Sequence, residues 1–262
     1  MLVLDTTSLR PVVSRGELVS LDRIVRFSNF QGSRFHPETV RALSDDPQVL
    51  DGFARTLARS IPRGAQLLID VQEMSVDDVA RLTSFVRALS NSSKALAQSD
   101  AALILPAGDT VSYPTRILSR VVDLLVIRVW DEYRPGTRPG PPATPDFVRR
   151  ALGSRSTAIG ASRIAAYFPL YGYMWNRRDS ARVITFEEAN RIVIREAGAF
   201  RRDPASQFLT ATGRDGWTVW VPDLTTINFL IQAARGRGAR IIALSNFRGA
   251  DPGIIRAYPI RR

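Results

Sequence analysis

The chain reads as an α/β protein built on a parallel sheet, and three observations carry that reading. Short, nearly all-apolar runs of strand length alternate with segments of helical period over most of the 262 residues. Each run stops abruptly at polar, acidic or turn-forming residues. Hydrophobic residues at 45% and charged residues at 23% are globular values, and a chain of this length buries a core easily. Six strands are read, with a short seventh at the start. A closed (β/α)8 barrel needs eight, so the chain falls one or two units short at its N-terminal end.

Taken in order, Leu2-Val3-Leu4 is a short strand and Arg10-Pro11 opens a loop. Residues 24–30 form a strand that Gln31-Gly32 ends. Pro37 opens one helix, and Asp46-Pro47 a second that runs to Ser60 with Val49, Phe53, Leu57 and Ile61 on one face. Pro62-Arg63-Gly64 breaks it before the strand at residues 64–71. Ser75 and Asp78 make a capping-box variant for a helix through Ser90. Strands at 101–107 and 124–130 flank a short helical piece at 113–121. The Pro/Gly-rich residues 134–145 form an exposed, mobile rim, and Pro145 suits the first turn of the next helix. A strand at 164–170 follows. Residues 182–223 form a small α+β insertion, with Thr185 capping a helix and short strands near 208–212 and 217–221. A helix at 224–235, ended by Gly236 and Gly238, leads to the last strand at 240–244. The whole chain, 1–262, is one domain.

Composition excludes several functions. With no cysteine there is neither a disulfide nor a thiolate metal site, and the single histidine, His36, reads as a surface or capping residue, so no metal and no cofactor is expected. The net charge of +11 is almost all arginine, Lys94 being the only lysine, and it is spread along the chain without interleaved aromatics. That pattern argues for a solvated surface over a nucleic-acid interface. No apolar run reaches the roughly 18 residues of a membrane span. The first ten residues lack the pattern of a signal peptide, so the chain as it stands reads as cytoplasmic, and as exported only if a segment precedes it.

The chemistry is expected where strands end. Residues 64–74 hold a buried strand that stops at Asp70, Gln72 and Glu73. Asn29, Asp109 and Tyr113 stand at or after other strand ends, as do Trp130, Asp131, Tyr171 and Trp175, and these seven are the binding candidates.

Several segments together resemble glycoside hydrolase family 18, in particular its chitinase-like and spore-peptidoglycan-hydrolase-like branch. Leu67-Leu68-Ile69-Asp70-Val71-Gln72 is similar to the fourth-strand motif, and Ile127-Arg128-Val129-Trp130-Asp131-Glu132 to the sixth-strand Met-x-Tyr-Asp. Residues 140–148 resemble the Gly-Pro and helix start that follow, and residues 168–175 the seventh-strand signature. Residues 217–223 and 241–252 match the end of the insertion and the eighth strand. The resemblance implies a (β/α)8 barrel that binds N-acetylamino-sugar polymers, chitin- or peptidoglycan-like, at its strand ends. It further implies substrate-assisted hydrolysis, in which a glutamate ending the fourth strand donates the proton and an aspartate two residues earlier orients the acetamido group.

The chain departs from that pattern at the acid. Asp70 matches the aspartate, but Gln72 stands in the glutamate position, and an amide has no proton to give near neutral pH. Glu73 is the alternative acid; one residue along a strand faces the other way, so it needs a bulge to turn inward. Arg128 replaces methionine, Trp130 replaces tyrosine and Ser245 replaces the tryptophan floor. Arg128 then needs a carboxylate partner, Asp70 or Asp131. The expectation is a catalytically impaired sugar-binding barrel. The alternatives are an active glycosidase using Glu73 and a non-catalytic module that binds a protein partner in a polysaccharide-handling assembly.

Overall fold

The computed structural model describes residues 3–5, 10–13, 24–32, 34–176, 180–196 and 198–258; Leu2 of the expected first strand lies outside them. Strands β1 (Val3–Asp5), β2 (Arg10–Val13) and β3 (Ile24–Ser28) come first, followed by a two-stranded hairpin of β4 (Phe30–Gln31) and β5 (Arg34–Phe35). Helices α1 (Pro37–Ser44) and α2 (Pro47–Ser60) precede β6 (Gln66–Asp70), and α3 (Val79–Ala97) precedes β7 (Ala101–Pro106). Then come α4 (Thr115–Leu118), β8 (Leu124–Arg128), α5 (Pro145–Ile159) and β9 (Ile164–Pro169). Strands β10 (Gly172–Trp175) and β11 (Ala181–Ile184), helix α6 (Phe186–Glu196), and strands β12 (Arg201–Arg202), β13 (Leu209–Thr212) and β14 (Thr218–Val221) follow. The described chain ends in α7 (Leu224–Arg235), β15 (Ile241–Ser245) and α8 (Pro252–Ala257).

Eight strands form one sheet in the order β1-β3-β6-β7-β8-β9-β15-β2. The six inner strands are parallel, and β1 and β2 pair antiparallel at the two edges. The sheet is curled, as its side chains show. Alternate residues of one face, Leu68, Ala102, Ile104, Val126, Ala165, Tyr167 and Ala243, meet in a single apolar cluster with Ile24, Leu124 and Ile241. The other face, including Phe27, Leu67, Ile69, Leu103, Leu125, Ile127, Phe168, Ile242 and Leu244, packs against the helices. This is a partial (β/α)8 barrel, with an apolar interior face and a helical jacket.

The helices form where their caps predict. Asp46 accepts hydrogen bonds from Gln48 N and Val49 N at the start of α2. Ser75 and Asp78 form a complete capping box ahead of α3, and Thr144 Oγ1 accepts from Phe147 N at 3.1 Å at the start of α5. Helix α3 runs on to Ala97, beyond the expected end at Ser90, because Ser93, Lys94 and Ala97 continue its pattern. The apolar face of α2 is Leu50, Ala54, Leu57 and Ala58; Val49 is exposed, one position off the stripe. His36 is the N-cap of α1, but its ring contacts Glu38 Oε1 at 2.7 Å and caps no backbone N–H.

Three expectations are corrected. Arg10-Pro11 lies in edge strand β2, where Pro11 opposes Ala243; a proline is tolerated at a sheet edge because its missing N–H is not needed there. The small α+β unit is a five-stranded sheet, β11-β10-β14-β13-β12, and it begins at Gly172 rather than at 182. The Pro/Gly-rich rim is clasped rather than loose. Glu132 N donates to Pro142 O at 2.9 Å, Thr144 N donates to Glu132 Oε2 at 2.7 Å, and Trp175 Nε1 donates to Thr137 O at 3.0 Å. Among the described residues no helix is long and apolar enough to cross a membrane.

Candidate functional site

The parallel strands deliver polar residues to one end of the barrel. Register sets Ser28 beside Asp70, the last residues of β3 and β6. Two residues before Ser28, on the same interior face, Arg26 forms an ion pair with Asp70 through Nη2 and Oδ2. Asp70 is 1% exposed, and its other oxygen, Oδ1, accepts from Gln72 Nε2 at 2.8 Å. The same Gln72 nitrogen lies 3.3 Å from Ile104 O. Gln72 is 3% exposed, and its backbone is held by Asn29, whose Nδ2 donates to Gln72 O and whose Oδ1 accepts from Gln72 N, both at 3.0 Å. The Asp70 carboxylate is thus engaged on both oxygens, by a guanidinium and by an amide.

Glu73 occupies the turn that follows. Its φ is +63°, so the chain leaves the strand there. Its side chain is exposed and makes no hydrogen bond or ion pair with the described residues. The turn is fixed by Met74 N, which donates to Tyr113 Oη at 3.1 Å.

A second cluster lies at the ends of β8 and β9. Asp131, at φ +67°, accepts from Tyr173 Oη at 2.5 Å and Tyr171 Oη at 3.2 Å. Arg128 approaches Asp131 through Nε at 3.8 Å, with side-chain exposures of 23% and 16%. Of its two expected partners, Arg128 therefore faces Asp131, while Asp70 is taken by Arg26. Burial works hardest against the Arg128 charge, but Asp131, Tyr171, Asp70 and Tyr167 together outweigh it and raise the guanidinium above its ordinary value. Burial raises the phenols of Tyr167, Tyr171 and Tyr173, and Asp131 adds to the effect on the last two, so all three stay protonated donors. Deeper in, Tyr167 Oη and Ser245 Oγ share a 2.7 Å hydrogen bond, and Ser245 Oγ donates to Asn246 Oδ1 at 2.7 Å.

Several expected binding residues are placed elsewhere. Trp130 is 2% exposed, packed among Phe168, Tyr171 and Phe208, and Trp175 is 1% exposed against Tyr173; neither presents a ring face to a sugar. Tyr113 is 1% exposed and serves the Met74 turn. Asp109 Oδ1 caps Val111 N at 3.1 Å and Ser112 N at 2.8 Å, closing its own loop. Asn29 spends its amide on Gln72. Tyr171 and Asp131 remain at the mouth.

Two participants were missed by sequence reasoning. Arg26 has a signal, a lone arginine inside an apolar strand two residues from its polar end, yet its partner is set by strand register. Tyr167 looks like an ordinary core aromatic in the sequence. Among the described residues no group of three or more His, Asp and Glu side chains could hold a metal.

This barrel, with its polar strand ends and small second sheet, has the fold of the chitinase-type glycoside hydrolase family 18 enzymes. It superposes on the chitinase from Chromobacterium violaceum with a TM-score of 0.73 at 20% identity, covering 90% of this chain and 77% of that one. The spore cortex-lytic enzyme SleL of Bacillus cereus gives 0.75 at 16% identity, over 89% of this chain and 57% of that one. A Glu-to-Gln mutant of the class V chitinase from Nicotiana tobaccum, in complex with NAG4, gives 0.65 at 15% identity, over 82% and 72%. No family model matches the sequence, and no curated protein matches it.

Proposed function

We propose that the chain binds an N-acetylamino-sugar polysaccharide, chitin- or peptidoglycan-like, at the C-terminal end of its barrel, and that it hydrolyses that polymer poorly or not at all. One observation carries the reading: Gln72 donates its amide to Asp70 Oδ1 at 2.8 Å, where a substrate-assisted glycosidase needs a carboxylic acid. An amide cannot protonate a leaving oxygen, and loss of that general acid removes on the order of 10² to 10⁴ in rate. Both Asp70 oxygens are already engaged, by Arg26 and by Gln72, so an acetamido group would have to share them. Glu73 takes no part in the hydrogen bonds of this cluster. In the similar tobacco chitinase, a Glu-to-Gln mutant holds NAG4.

The test pairs binding with turnover. Calorimetry with tetra-N-acetylchitotetraose and with soluble peptidoglycan fragments should show saturable binding by the wild type. Release of reducing ends should stay at background, and rise at least about tenfold in Gln72→Glu. Robust wild-type hydrolysis would overturn the impaired reading, and hydrolysis that disappears in Glu73→Gln would assign the acid to Glu73.

A further inference from the structure

Among the described arginines at the barrel mouth, Arg128 is the one that makes no side-chain hydrogen bond. Arg26 is bound to Asp70. Arg155, wholly buried, donates to Pro106 O, Asp109 O, Tyr113 O and Thr115 Oγ1. Arg128 makes no hydrogen bond with the described residues and only a loose approach to Asp131 through Nε at 3.8 Å. The Asp131 carboxylate is meanwhile served by two tyrosine hydroxyls. A guanidinium offers five N–H donors in a planar fork, and no Arg128 nitrogen is among the buried side-chain atoms without a partner, so the fork is open to a ligand from outside. At 23% exposure the side chain is still reachable from outside. The group that matches such a fork is a carboxylate, taken through two parallel N–H donors.

We propose that Arg128 is a carboxylate receptor, so that the sugar unit held at the mouth is an acidic amino sugar or its acidic neighbour rather than the neutral unit of chitin. This rests on the sugar-binding reading above and narrows its ligand. Nε is the Arg128 nitrogen nearest Asp131, and the two terminal amino groups make no hydrogen bond with the described residues. A second basic place competes for any acidic ligand. It is a depression of about 430 Å³ at the opposite end of the strands, lined by Arg87, Lys94, Arg120 and Arg163, and it serves as the internal control.

The experiment compares one tetrasaccharide of alternating N-acetylglucosamine and N-acetylmuramic acid with its carboxyl methyl ester, which keeps the shape and removes the charge. Tetra-N-acetylchitotetraose is the neutral reference, and Kd is read by calorimetry at low salt. The wild type should bind the acid about tenfold more tightly than the ester, a difference of about 1.4 kcal/mol. Arg128→Met should bring acid and ester within about twofold of each other. Arg128→Lys should retain part of the preference, and Arg120→Ala all of it. Equal wild-type affinity for acid and ester would overturn the receptor and leave the sugar-binding reading standing. A preference that survives Arg128→Met, or vanishes in Arg120→Ala, would overturn it too. Failure of all three ligands to bind would overturn both readings.

Discussion

Gln72 and Asp70 meet as amide and carboxylate, an arrangement that stays neutral at position 72 across the whole pH range in which the protein is folded. Gln72→Glu changes that. The new carboxyl would sit against Asp70 in a buried place, where burial and a like charge both raise a carboxyl's folded pKa above its unfolded value of about 4.3. An acid raised in this way keeps its full contribution at low pH and loses stability as pH rises toward the folded pKa, because the unfolded chain releases the proton first. The variant should therefore unfold at lower urea than wild type at pH 8, with the gap narrowing at pH 5. Urea melts at the two pH values check the sign. Spacing along the strand made Asp70 and Gln72 legible as a pair in the sequence. Their third member, Arg26, was not, because only the Ser28-to-Asp70 register brings two strands 44 residues apart into contact.

Elements hold this constellation through a few side chains that cross between them. Asp78 joins α3 to α1: it closes the capping box with Ser75 and takes two hydrogen bonds from Arg41, at 2.7 and 2.8 Å. The Arg41 guanidinium holds the Asp78 carboxyl well below the usual carboxylate range. Its stabilising contribution is thus present above about pH 4 and fades as pH falls. Asp78→Asn should lose about 2 kcal/mol at pH 7, since Arg41 is partly exposed and the pair is not fully desolvated. That deficit should shrink in melts below pH 4. Arg155 on α5 clamps the loop after β7 through four oxygens, and burial lowers its pKa to about 10. Arg155→Met should leave those oxygens without donors, at about 3 kcal/mol, and speed amide exchange over residues 106–115. Gly172 is where β9 hands over to the small sheet. A Cβ there would lie 1.9 Å from the Trp220 carbonyl oxygen, so Gly172→Ala should part β10 from β14. Tyr171 and Tyr173 flank it, and the variant should weaken the sugar binding proposed above as well as lower the melting temperature. The helices were legible from their caps, Asp46, Ser75 and Thr144. Burial of Trp130 and Trp175 was not, because Phe208 and Thr137, which cover them, come from the α+β unit and the rim loop.

At the scale of the whole molecule the sheet has six parallel strands where a closed barrel has eight, with antiparallel β1 and β2 along the free edges. The deficit was visible as a count of apolar runs. The edge role of residues 10–13 was hidden by Arg10-Pro11, a turn signal that an edge strand tolerates. Unpaired edges template association between chains. Deleting residues 1–13 should thus expose β3 and β15 and turn a monodisperse sample into larger species by light scattering. The interior is already filled. Tyr167 packs with Ala102, Ala165 and Ala243 and is tied to Ser245, so a broad indole at 245 would meet its ring. Ser245→Trp alone should therefore lower the melting temperature, and pairing it with a smaller residue at 167 should restore it.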